Sequence, residues 1–76
     1  MLMERLIKGH KVIYDENARE GLNHIVYDLS YDETYSLFSK AKVKKRAAFE
    51  DKIGRNFNLI SKPDGSFVVE KRQGWF

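Results

Sequence analysis

The strongest constraint on the fold lies in residues 46–72, where apolar and polar residues alternate in three short runs. Two turn signals separate these runs: Lys52-Ile53-Gly54 and Pro63-Asp64-Gly65. Alternation with a period of two places every second side chain on one face of an extended chain, and turn residues between such runs are typical of hairpins. This stretch therefore predicts an antiparallel meander of three strands.

The two turns also fix which residues face each other across the strands. Pro63 presets the φ of its turn, and Gly65 tolerates the left-handed conformation that closes it. Gly54 is placed to close the first turn in the same way. The predicted cross-strand pairs are Ile60 with Val68, Leu59 with Val69, Phe49 with Phe57, and Ala47 with Leu59. A slip of one residue would destroy the agreement between the two hairpins. The predicted core face consists of Ala47, Phe49, Phe57, Leu59, Phe67 and Val69.

The opposite face of the predicted meander is mostly polar, with a few aliphatic side chains. It comprises Arg46, Ala48, Glu50, Asn56, Asn58, Ile60, Val68, Glu70 and Arg72. A solvated sheet face has this composition, and so does a flat surface that binds a partner. The pattern favours the solvated face and leaves the binding surface open as an alternative.

A helix is predicted just before the meander. Ser30 followed by Glu33 forms a capping box, in which the two residues satisfy backbone N–H groups at a helix start. The helix is expected over residues 31–42, across the apolar face of the sheet. Its buried stripe would comprise Tyr31, Thr34, Phe38 and Ala41. Val43 would fall on the outer side, which indicates that the helix has ended before it.

Two strands are predicted in the N-terminal part of the chain. Residues 5–14 are rich in β-branched side chains, with Gly9 as a bulge or bend. Residues 15–21 are charged and predict a loop, with one helical turn over residues 17–20 as an alternative. Residues 23–29 alternate as a second strand does. The expected fold is one α+β domain over residues 1–76 in the order β-β-α-β-β-β. Its sheet is expected to be mostly antiparallel, with one helix packed on it.

Bulk properties limit the classes of protein. There is no cysteine for disulfides or a zinc-thiolate site. No run approaches the roughly 20 apolar residues that a membrane span needs, so a soluble, cytoplasmic protein is expected. Charge is uneven: residues 1–39 hold four Lys/Arg against seven Asp/Glu, whereas residues 40–76 hold ten against four. A basic half of this kind indicates an acidic partner, either nucleic acid or an acidic protein surface.

The positive charges are concentrated between Lys40 and Arg46, where five of seven residues are basic and none is acidic. Charges gathered in this way bind phosphates. The sequence predicts a non-enzymatic nucleic-acid-binding protein with phosphate contacts and little sequence readout. The predicted contact residues are Lys42, Lys44, Lys45, Arg46, Arg55, Lys62 and Arg72. The aromatic residues of the meander point to the core, which leaves no evident stacking platform there. The competing interpretation is a solvated helix end whose lysines complement the helix dipole.

Two further interpretations remain. A protein-interaction module, a small adaptor or inhibitor of the phage or bacterial accessory type, would dock through Ile60, Val68, Trp75 and Phe76. An enzyme is not expected, because the phosphate-binding and nucleophile motifs are absent, and neither is a cofactor. His10 and His24 would come close to Asp28 if the two N-terminal strands paired, but their spacing matches no specific metal site.

Overall fold

The computed structural model describes residues 1–72, and these form an α+β fold with one five-stranded mixed sheet. The strands are β1 (Leu2–Ile7), β2 (His10–Asp15), β3 (Arg46–Glu50), β4 (Asn56–Ser61) and β5 (Phe67–Lys71), and the helices are α1 (Arg19–Asn23) and α2 (Tyr31–Lys44). The strand order is β1-β2-β5-β4-β3. β2 and β5 run parallel, whereas every other neighbouring pair is antiparallel. The prediction of a mostly antiparallel sheet is therefore only partly correct.

The C-terminal meander has the predicted register throughout. Phe49 pairs with Phe57, and Leu59 pairs with both Ala47 and Val69. Gly54 and Gly65 adopt φ of 90° and 91° in the two turns, as their closing positions require. On the predicted core face Phe49 is half-buried, and the other residues are buried.

The N-terminal strand predicted over residues 5–14 is a tight hairpin, in which Ile7 pairs with His10. Lys8 and Gly9 form the two-residue turn with φ of 51° and 83°. Positive φ at both central residues matches the twist of the flanking strands. Gly9 thus reverses the chain, and its interpretation as a bulge or bend within one strand is wrong.

The strand predicted over residues 23–29 is also wrong, because the chain is helical from Glu16 to Asp28. A 3-10 turn (Glu16–Ala18) leads into α1, and a π-helical turn (His24–Asp28) follows it. The buried residues of this segment are Ala18, Gly21, Leu22 and Ile25. Their spacing of three and four is helical, and it outweighs the short alternation after Asn23. The fold order is consequently β-β-α-α-β-β-β.

Helix α2 starts as predicted and ends later. Both hydrogen bonds of the capping box are present: Ser30 N–H donates to Glu33 Oε1 over 2.8 Å, and Glu33 N–H donates to Ser30 Oγ over 3.1 Å. The helix continues past Val43, which is exposed. Its buried side chains are Thr34, Phe38 and Ala41. Tyr31, predicted in the buried stripe, is instead 65% exposed.

Candidate nucleic-acid interface

Four segments of the chain meet at one end of the sheet. β2 and β5 are parallel, so the β1–β2 turn lies at the same end as the β4–β5 turn. β3 begins at that end too, because it pairs antiparallel with β4, and α2 leads directly into it. We call this the basic end, and it carries Lys8, Lys11, Lys42, Lys44, Lys45, Arg46 and Lys62.

Backbone hydrogen bonds connect these segments, and two of the segments line a common pocket. Ser61 N–H donates to the carbonyl oxygen of Lys45 over 2.9 Å, which ties the end of α2 to β4. Lys62 N–H donates to the carbonyl oxygen of Ser66 over 2.8 Å and closes the β4–β5 turn. Lys8 and Lys42 line one pocket, although they come from different halves of the sequence. The basic end is thus positioned by the sheet and does not depend on a free tail.

Most cations of the basic end have no acidic partner. Within residues 1–72, no carboxylate lies within 4.0 Å of the basic groups of Lys8, Lys42, Lys44, Lys45, Arg46 or Lys62. Lys11 lies 3.9 Å from Glu4, and both groups are about half exposed. Such an exposed pair contributes little stability. Six of the seven cations of the basic end are thus without a carboxylate within 4.0 Å among the described residues.

Asp64, in the β4–β5 turn, is an acidic residue within the electrostatic influence of Lys11 and Lys62. Hydrogen bonds from the hydroxyl and N–H of Ser66 are the main reason that its pKa lies below the ordinary value, and the charges of Lys11 and Lys62 lower it further. Both bonds end on Oδ1, at 2.6 Å and 2.9 Å. Asp64 therefore shapes the turn and stays ionised, offsetting one of the positive charges.

Two lysines of the basic end have a strained backbone. Lys8 (φ 51°) and Lys45 (φ 77°) are the non-glycine residues with positive φ among those that the structure describes. This conformation costs an L-residue roughly 1–2 kcal/mol. Glycine or asparagine is preferred both in a two-residue hairpin turn and after a helix end. Backbone strain concentrates at functional sites, and here it coincides twice with a positive charge.

Two of the predicted contact residues, Arg55 and Arg72, lie at the opposite end of the sheet. Arg55 Nε donates to Asp51 Oδ2 over 2.6 Å, and its guanidinium lies 4.0 Å from Glu20. Arg72 N–H donates to the carbonyl oxygen of Asn56, at the start of β4. With a strand rise of about 3.3 Å per residue, the six residues of β4 separate the two ends by roughly 17 Å. Two of the seven predicted contact residues therefore lie apart from the basic end, and the other five belong to it.

The two histidines lie in different surroundings. His24 Nδ1 is 3.1 Å from Asp28 Oδ2, one helical turn away. The ring of His10 stacks on Phe38, with centroids 4.9 Å apart, and meets Phe67 edge to face. Across residues 1–72, no group of three or more histidine and carboxylate side chains is arranged to hold a metal ion.

The residues of the alternative protein interface are only partly described. Ile60 and Val68 pair across β4 and β5, and Val68 continues the row to Ile13 of β2. All three side chains are half-buried. Trp75 and Phe76 lie outside the described residues.

Sequence reasoning missed Lys8 and Lys11 as members of the basic end. They belong to the acidic half of the sequence, and only the parallel pairing of β2 with β5 brings them to the other lysines. The Lys8-Gly9 dipeptide between two β-branched runs was the available signal. It is weak, because asparagine or aspartate usually precedes the glycine of such turns.

No family model, curated protein or solved structure matches this chain. Of the helices described above, none has both the length and the apolar character that crossing a membrane requires.

Proposed function

We propose that the protein binds nucleic acid through phosphate contacts at the basic end. The observation that carries this proposal is the convergence of six cations without acidic partners from separate segments of the described chain. Each cation that neutralises a phosphate releases condensed counterions, and this release drives binding.

The residue types favour backbone contacts over base recognition. Five of the six cations are lysines, whose ammonium groups act as point charges. Sequence readout in the major groove depends mainly on bidentate side chains such as arginine on guanine, and Arg46 is the one arginine of the basic end. We therefore expect affinities that vary little with sequence and strongly with salt.

Lys44 and Lys45 are the centre of the proposed contact surface, so the test changes both to glutamine. The matched control changes Lys52 and Lys71 to glutamine, which removes the same charge at the opposite end of the sheet. Fluorescence anisotropy of a labelled single strand is measured at low and high salt. With six contacts, affinity of the parent should fall about 300-fold between roughly 50 and 200 mM salt, and with four contacts about 50-fold.

The control variant distinguishes binding at the basic end from binding that depends only on the net charge of the protein. The proposal predicts a lower affinity and a shallower salt slope for Lys44→Gln/Lys45→Gln, and a nearly unchanged slope for Lys52→Gln/Lys71→Gln. Equal losses in both variants would show that binding follows net charge. Absence of binding at low salt would remove nucleic acid as the partner. The alternative, a protein that docks on the sheet face, predicts weak salt dependence and losses at Ile60 and Val68.

A further inference from the structure

A pocket opens beside the basic end, between the β1–β2 turn and helix α2. Its volume is about 270 Å³, close to the lower limit of about 300 Å³ for small-molecule sites. The residues that line it include Lys8, His10, Tyr31, Tyr35, Ser39 and Lys42. Among the described residues, none that lines the pocket bears a carboxylate. The pocket thus combines positive charge, hydroxyl groups and aromatic rings.

The positive charge comes from two separate elements. Lys8 is supplied by the strained hairpin turn, and Lys42 by the last turns of α2. Lys8 Nζ lies 4.9 Å from the centroid of the Tyr31 ring, over its face. An ammonium group in this position remains able to donate hydrogen bonds to a phosphate. Ser39 adds a hydroxyl donor beside the two charges.

The aromatic surface comes from α2. Tyr31 and Tyr35 are four residues apart and therefore lie on the same side of the helix. Their exposed fractions are 65% and 67%, so a ligand can reach the Tyr35 ring and the face of the Tyr31 ring that Lys8 does not cover. His10 is stacked on Phe38 with an angle of 16° between the rings, which gives this side of the pocket a packed aromatic wall. The stacking platform that the meander lacks is present here.

We propose that this pocket binds one unpaired nucleotide of a single-stranded nucleic acid. Its base stacks on Tyr31 or Tyr35, and its phosphate lies between Lys8 and Lys42. The inference rests on the proposed function and narrows the partner to single strands. A base within a duplex is already stacked and paired, and exposing it costs free energy. Stacking on an aromatic side chain increases affinity by about 5- to 150-fold per base.

The test removes the rings while keeping every charge. Tyr31→Ala/Tyr35→Ala is compared with Tyr31→Phe/Tyr35→Phe, which restores the rings without the hydroxyls. Tyr27→Ala is the matched control, because Tyr27 is 68% exposed and also lies under a cation, with Arg5 at 5.6 Å from the ring centroid. The probes are a labelled oligothymidylate, a mixed-sequence duplex of equal length, and free thymidine monophosphate.

The parent protein should bind the single strand more tightly than the duplex. The alanine pair should lose about 5- to 150-fold of the single-strand affinity. This factor should be similar at low and high salt, because stacking does not release counterions. The phenylalanine pair should recover most of the loss, and Tyr27→Ala should match the parent.

Three results would overturn the inference. Equal affinity for both probes, unchanged in the alanine pair, would remove the pocket from binding. The proposed function would still stand if Lys44→Gln/Lys45→Gln weakened that binding. Failure to bind either probe at low salt would remove both proposals together. Binding of thymidine monophosphate without binding of the oligothymidylate would identify a free nucleotide as the ligand and exclude the strand.

Discussion

Changing Lys45 to glycine should stabilise the protein, although it removes one cation of the basic end. Lys45 follows the helix end with φ 77° and ψ −24°, a left-handed conformation that costs an L-residue roughly 1–2 kcal/mol. Glycine has no such cost but loses about 0.5–1 kcal/mol more backbone entropy on folding. The carbonyl of residue 45 still accepts the hydrogen bond from Ser61 N–H. The midpoints of these two ranges differ by about 0.75 kcal/mol, so the expected net gain in the free energy of unfolding is roughly 0.5–1 kcal/mol.

Thermal unfolding followed by circular dichroism measures this gain. For a domain of this size, 1 kcal/mol shifts Tm by about 4–8 °C, so Lys45→Gly should melt roughly 2–8 °C above the parent. Lys44→Gly is the matched control, because it removes the same charge from the last turn of α2. Glycine costs about 1 kcal/mol in a helix interior, and Lys44 is the last residue of α2, so this variant should lose up to that amount and should not melt above the parent. A Lys45→Gly variant that melts at or below the parent would refute the reasoning about strain.

The remaining predictions concern the core and one buried carboxylate. Leu59 is fully buried, so Leu59→Ala should lower the free energy of unfolding in urea by about 2–5 kcal/mol; a variant that melts within a couple of degrees of the parent would contradict the core assignment. Gly21→Ala should cost about 1–3 kcal/mol in the same assay, because its Cβ would lie 2.6 Å from the Phe57 ring. Burial alone would raise the pKa of Asp51, but hydrogen bonds from Arg55 and from Ile53 N–H outweigh it and hold the pKa below its ordinary value. The stability that Asp51 contributes is therefore present above the ordinary pKa of an aspartate and is lost as pH falls through the folded pKa. Asp51→Asn should lose stability at neutral pH and show less further loss on acidification.

The parts of the fold that sequence predicted are those fixed by local chemistry. Turn residues such as Gly54 and Gly65 determine a register within a few positions, and the capping box at Ser30 fixes a helix start. Residues 23–29 were mispredicted because Ile25 fits both an alternating and a helical pattern. The helical pattern becomes evident only when Ile25 is considered together with the earlier apolar residues, back to Ala18.

Only the part of the candidate site that is contiguous in sequence could be predicted. Residues 42–46 are contiguous, so their charge is visible in the sequence. The strain at Lys8 is not visible there, since it depends on a turn whose glycine was interpreted as a bend. The pocket between that turn and Tyr35 was also missed, because it depends on where α2 crosses the sheet.

The single parallel pair in the sheet increases the difference in charge between the two ends of the sheet, because it brings Lys8 and Lys11 to the other cations of the basic end. If β2 ran antiparallel to β5, the turn with Lys8 would lie at the opposite end, where two of the cations are paired with carboxylates. There Lys52 lies 3.2 Å from Asp28, and Arg55 is bound to Asp51. The parallel arrangement instead adds Lys8 to cations that have no carboxylate partner within residues 1–72. Like charges gathered in this way repel one another and destabilise the free protein, and an anion that binds there relieves this repulsion. The topology therefore adds positive charge, and the repulsion that comes with it, at the end of the sheet where we propose that nucleic acid binds.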